Sequence, residues 1–200
     1  SLCKNRELRI LLIDNYDSFV YNIVELLRRL HYTGIDIKKN DEISVEEARE
    51  YTHILISPGP ATPRESGNII EIIKALAPTH QILGICLGHQ AIAEAFGATL
   101  TQLSHPQHGH QSEIISVTDA RMFKGIQVDE RHPFQIGLYH SWLVDKIDFP
   151  ECLEITSLNR EDQIMSLRHR DYPVSGIQFH PESYMTPLGE VLIENWMGVI

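Results

Sequence analysis

The stretch ILGICLGHQ, residues Ile82–Gln90, decides how the rest of this chain is interpreted. A short apolar run ends at Cys86, which stands between two glycines, and an amphipathic segment follows as far as Gly97. This order predicts a buried strand that turns sharply into a helix, and the glycines give a strained turn the room that a Cβ would fill. A turn of this kind presents its central side chain above the sheet, as in the G-x-S-x-G nucleophile elbow. We therefore predict that Cys86 is a nucleophile, because the helix dipole favours a thiolate there.

The segments around this stretch alternate between strand and helix patterns. Apolar runs at 9–14 and 52–58 predict further buried strands, and the apolar spacing of 18–30 predicts a helix. Together they predict an α/β fold with a mostly parallel, helix-flanked open sheet of the flavodoxin-like kind. Short alternating runs after about residue 98 predict a smaller antiparallel sheet, in which FQIGLYHSW (134–142) and VSGIQFHPES (174–183) are strands. No repeat or linker divides the chain, so we interpret residues 1–200 as a single domain.

Composition excludes several classes of function. The formal net charge of −10 disfavours a nucleic-acid-binding surface, and no apolar run approaches the roughly 20 residues that span a bilayer. The start of the chain lacks the apolar core of a signal peptide, so we expect a cytoplasmic protein. Three cysteines at irregular spacing form neither a disulfide framework nor a zinc motif, and Cys3 and Cys152 have no context that suggests reactivity.

The base that activates Cys86 is the next question. His89 is its nearest histidine, but a helix first turn disfavours an imidazolium, and no carboxylate neighbours it in sequence. FHPE offers a better pair, because in an extended segment His180 and Glu182 point to the same side. Glu182 then holds one imidazole nitrogen and leaves the other to take the thiol proton. The sequence thus predicts a Cys86, His180 and Glu182 triad for acyl transfer.

Six motifs in a fixed order resemble the class I, triad-type glutamine amidotransferases. Within that family the chain is most similar to the amidotransferase subunits, component II, of anthranilate and aminodeoxychorismate (p-aminobenzoate) synthases. The motifs are LLIDNYDSFVYNI, ISPGPATP, GICLGHQAIAEAFGA, HGHQS, YHSW and GIQFHPES. Three positions depart from the usual family pattern: Ala61 stands where Gly is frequent, His110 where Lys is usual, and Trp142 where Leu is common.

The resemblance implies that Cys86 attacks the side-chain amide of L-glutamine to give a γ-glutamyl thioester and ammonia. It implies an oxyanion hole formed by the backbone N–H groups of Leu87 and of the segment around Gly59. The residues that it implies for glutamine binding are Gly59, Pro60, Ala61, Gln90, Ser141 and Trp142. The cluster of His105, His108 and His110 invites a metal interpretation, but the run holds no cysteine or carboxylate and the family has no metal here.

The resemblance also implies a partner. All of the chain matches the amidotransferase, so the ammonia must pass to a separate chorismate-using synthase subunit, component I, in a hetero-oligomer. We expect no cofactor in this chain, with Mg²⁺ only in the synthase. NYDSF and the segment that ends in GIQFHPES are more similar to the p-aminobenzoate branch than to dedicated tryptophan subunits. Two alternatives stay open: a free-standing γ-glutamyl hydrolase or peptidase on the same scaffold, and a catalytically silent binding subunit.

Overall fold

A computed structural model describes residues 7–118 and 121–198 of the chain. Its centre is a nine-stranded sheet in the order β2-β1-β3-β4-β11-β10-β9-β6-β7. The first five of these strands are parallel to one another, and antiparallel pairing begins where β10 meets β11. The parallel strands are β1 (Ile10–Asp14), β2 (Ile35–Lys39), β3 (His53–Ile56), β4 (Gln81–Ile85) and β11 (Val174–Ile177). The predicted α/β fold with a parallel, helix-flanked sheet is confirmed.

The later strands form two antiparallel arrangements. Four of them continue the large sheet, whereas two pair with each other in a small separate sheet. The four are β6 (His110–Val117), β7 (Phe134–Leu138), β9 (Leu153–Asn159) and β10 (Ile164–His169). The separate pair is β5 (Leu100–Gln102) and β8 (Trp142–Val144). The antiparallel part predicted after residue 98 is therefore divided between an extension of the main sheet and this small sheet.

The prediction of one strand across FQIGLYHSW is wrong. The strand β7 ends at Leu138, and β8 begins at Trp142 in the other sheet. The reason is that the carbonyls of His140 and Ser141 accept hydrogen bonds from the loop after β5, from Gln107 N–H at 2.8 Å and Leu103 N–H at 2.8 Å. These bonds hold Tyr139–Ser141 as a loop between the two sheets.

Helices cover both faces of the parallel sheet because its inner strands β1, β3, β4 and β11 are buried on both sides, whereas β2 at the edge is partly exposed. In β1 the residues alternate between two cores: Leu12 belongs to one cluster with Leu27 and Trp196, whereas Leu11 belongs to another with Ile72. The helices are α1 (Val20–Arg29), α2 (Val45–Ala48), α3 (Ile69–Leu76), α4 (Leu87–Ala95) and α5 (Gly189–Met197). The first of these two faces carries α1 and α5, and the second carries α3 and α4. None of the described helices is both long and apolar enough to cross a membrane.

The strand order places a crevice at the carboxyl ends of the parallel strands. The chain leaves β1 towards β2 on one side and later returns to β3 on the other, which makes a topological switch point between β1 and β3. Ligands of open α/β sheets bind outside the carboxyl ends of the strands at such points. Gly59 follows β3 at this end, and Cys86 follows β4.

Candidate active site

Cys86 occupies a strained turn between β4 and α4. Its backbone has φ 54° and ψ −100°, and the left-handed φ is unfavourable for a residue that carries a Cβ. The cysteine ends one element and begins the next, because β4 stops at Ile85 and α4 starts at Leu87. Strain of this kind persists only where the surrounding structure holds it in place, and such sites are often functional. The predicted strand-turn-helix context of Cys86 is present.

The two flanking glycines let backbone pack directly on backbone. A Cβ built on Gly84 would lie 2.3 Å from the carbonyl carbon of Gly88, and one built on Gly88 would lie 2.4 Å from the carbonyl oxygen of Ile56. Both distances are far inside van der Waals contact, so α4 sits on β3 and β4 only because these side chains are missing. Packing, rather than a positive φ, requires glycine at both positions.

His180 and Glu182 form a buried pair. The His180 Nδ1 and Glu182 Oε1 atoms are 2.5 Å apart, and both side chains are almost completely shielded from solvent. The expectation that an extended segment aligns them is wrong, because β11 ends at Ile177. A turn places them instead: Ser183 N–H donates to the carbonyl of His180 at 3.3 Å, and Pro181 and Glu182 lie within this turn.

The surroundings of His180 favour its charged form. Burial lowers its pKa, but the interactions with neighbouring Cys86 and with Glu182 outweigh burial and raise the pKa to about 10. The ring packs between Tyr139, with centroids 4.7 Å apart, and Phe19, with centroids 5.7 Å apart. Its Nε2 makes no regular hydrogen bond to the described residues, so the imidazole lies beside the thiol without being locked to it. An imidazole held in this way can exchange a proton with sulfur or with a substrate atom.

His89 lies in a different environment. It is completely buried on the face of α4 that packs against β11, where a Cβ on Gly176 would meet the His89 ring at 2.7 Å. Burial lowers its pKa to about 3, so the ring is neutral at physiological pH. Neither ring nitrogen has a hydrogen-bond partner in the described part of the chain. These surroundings agree with the rejection of His89 as the base.

A cavity of about 300 Å³ opens beside Cys86. Its walls include all six residues that the resemblance implied for glutamine binding: Gly59, Pro60, Ala61, Gln90, Ser141 and Trp142. Gln90 is almost fully buried and donates from Nε2 to the carbonyl of Trp142 at 2.9 Å. The structure therefore brings together three segments that are far apart in sequence, although the binding role of each residue stays a prediction.

The two residues that carry the implied oxyanion donors, Gly59 and Leu87, lie next to each other. Leu87 is the first residue of α4, where backbone N–H groups have no acceptor within the helix. A Cβ on Gly59 would lie 2.8 Å from Leu87 Cδ2 and 2.7 Å from Asn15 Cβ, so the loop after β3 fits closely against the elbow. Asn15 fixes this loop, because its Nδ2 donates to the carbonyl of Ser57 at 2.7 Å and its N–H donates to Ser57 Oγ at 2.9 Å.

Sequence reasoning missed several residues of the site. Tyr139 lines the cavity and packs on His180, Gln178 contacts the Cys86 sulfur, and Asp17 lines a second cavity of about 270 Å³ that Cys86 and His180 also border. Burial raises the pKa of Asp17 to about 6. All three residues stand inside the quoted motifs YHSW, GIQFHPES and NYDSF, and their place in those motifs is the sequence signal that points to them.

Comparison with known proteins agrees with this geometry. Residues 11–199 match the model of the family described as Glutamine amidotransferase class-I. The chain belongs to the class-I glutamine amidotransferase family. Within this family it is 40% identical over 192 residues to a putative anthranilate synthase component II of Haemophilus influenzae, covering 96% of this chain and 97% of that protein. It is also 40% identical over 190 residues to the aminodeoxychorismate/anthranilate synthase component 2 of Bacillus subtilis, covering 94% and 95%.

A solved structure shares the amidotransferase fold. A protein of Thermoplasma acidophilum, described as a putative GMP synthase subunit, superposes with a TM-score of 0.82 at 25% identity, covering 96% of this chain and 92% of that one. The overall fold is therefore shared with a protein that is named for a different synthase.

The remaining cysteines and histidines form no second centre in the described ranges. No group of three His, Cys, Asp or Glu side chains there is arranged to hold a metal. His108 lines the cavity beside Cys86, and Cys152 is half-buried with its sulfur 3.8 Å from the carbonyl of Phe96. Cys3 lies outside the described residues. That the amidotransferase needs no cofactor stays a prediction.

Proposed function

We propose that this chain is the glutaminase component of a chorismate-using synthase, which hydrolyses L-glutamine and delivers ammonia to its partner. The observation that carries the proposal is the strained Cys86 beside the buried His180–Glu182 pair, at the wall of a cavity lined by the implied glutamine-binding residues. Acyl transfer needs such a set of nucleophile, base and orienting carboxylate.

The proposed reaction begins with a proton transfer from the Cys86 thiol to His180. The sulfur bonds to the side-chain carbonyl carbon of glutamine, and the resulting oxyanion accepts hydrogen bonds from the N–H groups of Leu87 and Gly59. His180 gives its proton to the leaving nitrogen, the C–N bond breaks, and ammonia departs. His180 then takes a proton from water, the hydroxide attacks the thioester, and glutamate leaves as the sulfur recovers its proton. Glu182 keeps the imidazole oriented through its 2.5 Å contact with Nδ1.

The partner belongs to the proposal as well. The Haemophilus influenzae relative is named for anthranilate synthesis and the Bacillus subtilis relative for both branches, at the same 40% identity. We propose that the acceptor of ammonia is the synthase component of anthranilate or aminodeoxychorismate synthase, and that this component holds any Mg²⁺. Because a free catalytic thiol suits a reducing compartment, we place the reaction in the cytoplasm.

The experiment compares glutamine with ammonia as the nitrogen source. Each candidate synthase is mixed with the wild-type chain, with Cys86→Ala or with the matched control Cys152→Ala, and its aromatic product is measured. We expect Cys86→Ala to abolish synthesis from glutamine and to leave synthesis from ammonium salts unchanged, whereas Cys152→Ala supports both. Retained use of glutamine by Cys86→Ala would refute the assignment of the nucleophile.

A second measurement distinguishes a synthase component from a free-standing hydrolase. Glutamate release by the isolated chain is compared with release in the presence of each synthase. We expect little hydrolysis alone and a marked increase with the correct partner, because uncoupled hydrolysis wastes glutamine. Equal rates with and without a synthase would favour a γ-glutamyl hydrolase or peptidase.

A further inference from the structure

We propose that Gln178 is a further catalytic residue, which stabilises the reactive thiolate by donating a hydrogen bond from its side-chain amide to the Cys86 sulfur. This inference rests on the proposed function, since it names another group that touches the reacting atom. The Gln178 Nε2 atom lies 3.5 Å from Cys86 Sγ, and the glutamine side chain is completely buried. The Gln178 amide is distinct from the groups assigned above as nucleophile, base, orienting carboxylate and oxyanion donors.

The backbone fixes Gln178 beside the nucleophile. Its N–H donates to the carbonyl of Met165 in β10 at 2.8 Å, and the N–H of Cys86 donates to the carbonyl of Ile177 at 2.8 Å. Because β11 pairs in parallel with β4, the residue after the end of β11 lies next to the elbow that follows β4. Gln178 and Cys86 are 92 positions apart in sequence.

The neighbours of Gln178 also fix which end of its amide faces the sulfur. A carbonyl can only accept a hydrogen bond, so the bond to the carbonyl of Trp142 at 2.9 Å requires that Gln90 present its Nε2 there. The same Nε2 lies 3.2 Å from Gln178 Oε1, which must therefore accept. The Nε2 of Gln178 is then the end that faces Cys86. The orientation of the Gln178 amide therefore follows from the hydrogen-bond network, which starts at the backbone carbonyl of Trp142, a group that can only accept.

The chemistry of sulfur distinguishes the two protonation states of Cys86. A neutral thiol is a weak acceptor, so a buried amide N–H that faces it is almost unsatisfied. A thiolate accepts a charge-assisted bond, which is roughly twice as strong as a neutral one. The Gln178 amide therefore favours the ionised form of the nucleophile, and it does so without a titration of its own.

The native titratable groups that border Cys86 are kept in the variants proposed below, and only Gln178→Glu adds a new one. The native groups are His180 with Glu182, Tyr139, the largely buried His140, His108 on the cavity wall, and Tyr16 and Asp17 across the second cavity.

The test measures the alkylation rate of Cys86 by iodoacetamide against pH, resolved by peptide mass spectrometry so that the other cysteines do not contribute. We expect Gln178→Met, which fills similar space without a donor, to move the midpoint of the profile upward by about one pH unit, which is a tenfold loss of thiolate below the midpoint. We expect the isosteric Gln178→Glu to move the midpoint further, because a carboxylate would then face the sulfur. The matched control is Gln135→Met, which removes a half-buried amide bonded to Glu113 outside the site, at 3.0 Å.

The kinetic readout is glutamine-dependent synthesis with the partner subunit. We expect kcat to fall at least tenfold in Gln178→Met, and ammonia-dependent synthesis by the partner to stay at the wild-type rate. Co-purification of the variant with the partner subunit shows that it folds and docks. If Gln178→Met does not fold, the alkylation profile of Gln178→Glu alone tests the proposal. Wild-type profiles in the variants that fold would overturn the proposal.

The alkylation profile does not depend on glutamine hydrolysis. A shifted profile together with glutamine use by Cys86→Ala would refute the proposed function and leave the thiolate contact standing. An unshifted profile together with loss of glutamine use by Cys86→Ala would refute the thiolate contact and leave the proposed function standing.

Discussion

Substitution of Gly84 by alanine tests whether close backbone packing holds the nucleophile in place. The new Cβ would lie 2.3 Å from both the carbonyl carbon and the carbonyl oxygen of Gly88. Real Cβ contacts are essentially never below 3.0 Å, so β4 and α4 must separate by about 0.7 Å at this point. The atoms in the way belong to backbone, and no flexible side chain can move aside. Cys86 connects these two elements and must therefore shift with them.

The expected loss of stability is the difference between two opposing effects. Alanine stiffens the unfolded chain and favours the folded state by about 0.5–1 kcal/mol relative to glycine. Overpacking of a close contact costs about 1–3 kcal/mol, and the rigid backbone on both sides favours the upper part of that range. We therefore expect the free energy of unfolding to fall by about 1–2 kcal/mol. A misplacement of about 1 Å in a reacting group can reduce rate by about a hundredfold, so we expect glutamine-dependent kcat to fall between tenfold and a hundredfold.

The assays are urea unfolding and glutamine-dependent synthesis with the partner subunit. The matched control is Gly125→Ala, at an exposed glycine with φ 80° and no atom within 4 Å of the added Cβ. Its strained backbone costs about 1–2 kcal/mol and the alanine gain of about 0.5–1 kcal/mol applies here too, so stability falls by about 1 kcal/mol while the elbow is untouched. Equal activity in the two variants, or wild-type stability in Gly84→Ala, would refute the packing argument.

Two further predictions concern pH. Burial raises the pKa of Asp17 from 3.8 to about 6, so its ionisation opposes folding from the unfolded pKa upward and does so fully above about 6. Asp17→Asn should therefore raise the free energy of unfolding at pH ~8 by about 1 kcal/mol, a value reduced for the partial exposure of the carboxyl. The substitution should have no effect at about pH 3 or below, and an equal effect at pH ~8 and pH ~3 contradicts this explanation. The pKa of His180 is raised to about 10, so its charged form contributes stability that is complete below pH ~6.5 and is lost as the pH rises through about 10. Urea unfolding from pH 6 to pH 10 should show a steeper loss in the wild-type chain than in His180→Gln, and parallel curves would show that the folded state gives His180 no raised pKa.

The sequence alone determined the strand-turn-helix unit around Cys86 and the parallel half of the sheet, because both depend on residues that are close along the chain. The apolar run before Cys86, the glycines around it and the amphipathic segment after it predict β4, the turn and α4, because propensity and side-chain spacing act within a few residues. The alternation of such units predicts the parallel half of the sheet for the same reason. The motif FHPE identified His180 and Glu182 as partners, although a turn and not an extended strand brings them together.

Only the tertiary structure decided how distant segments meet. The pairing of β11 with β4 brings His180 and Gln178 to Cys86, and hydrogen bonds from the loop after β5 interrupt the predicted strand 134–142 and carry Tyr139 and Ser141 to the cavity. The orientation of the Gln178 amide depends in turn on Gln90 and on the backbone of Trp142. No spacing in the sequence records these contacts, because they arise from strand pairing and loop packing over separations from 33 residues, between Gln107 and His140, to 92 residues or more, between Cys86 and the segment that starts at Gln178.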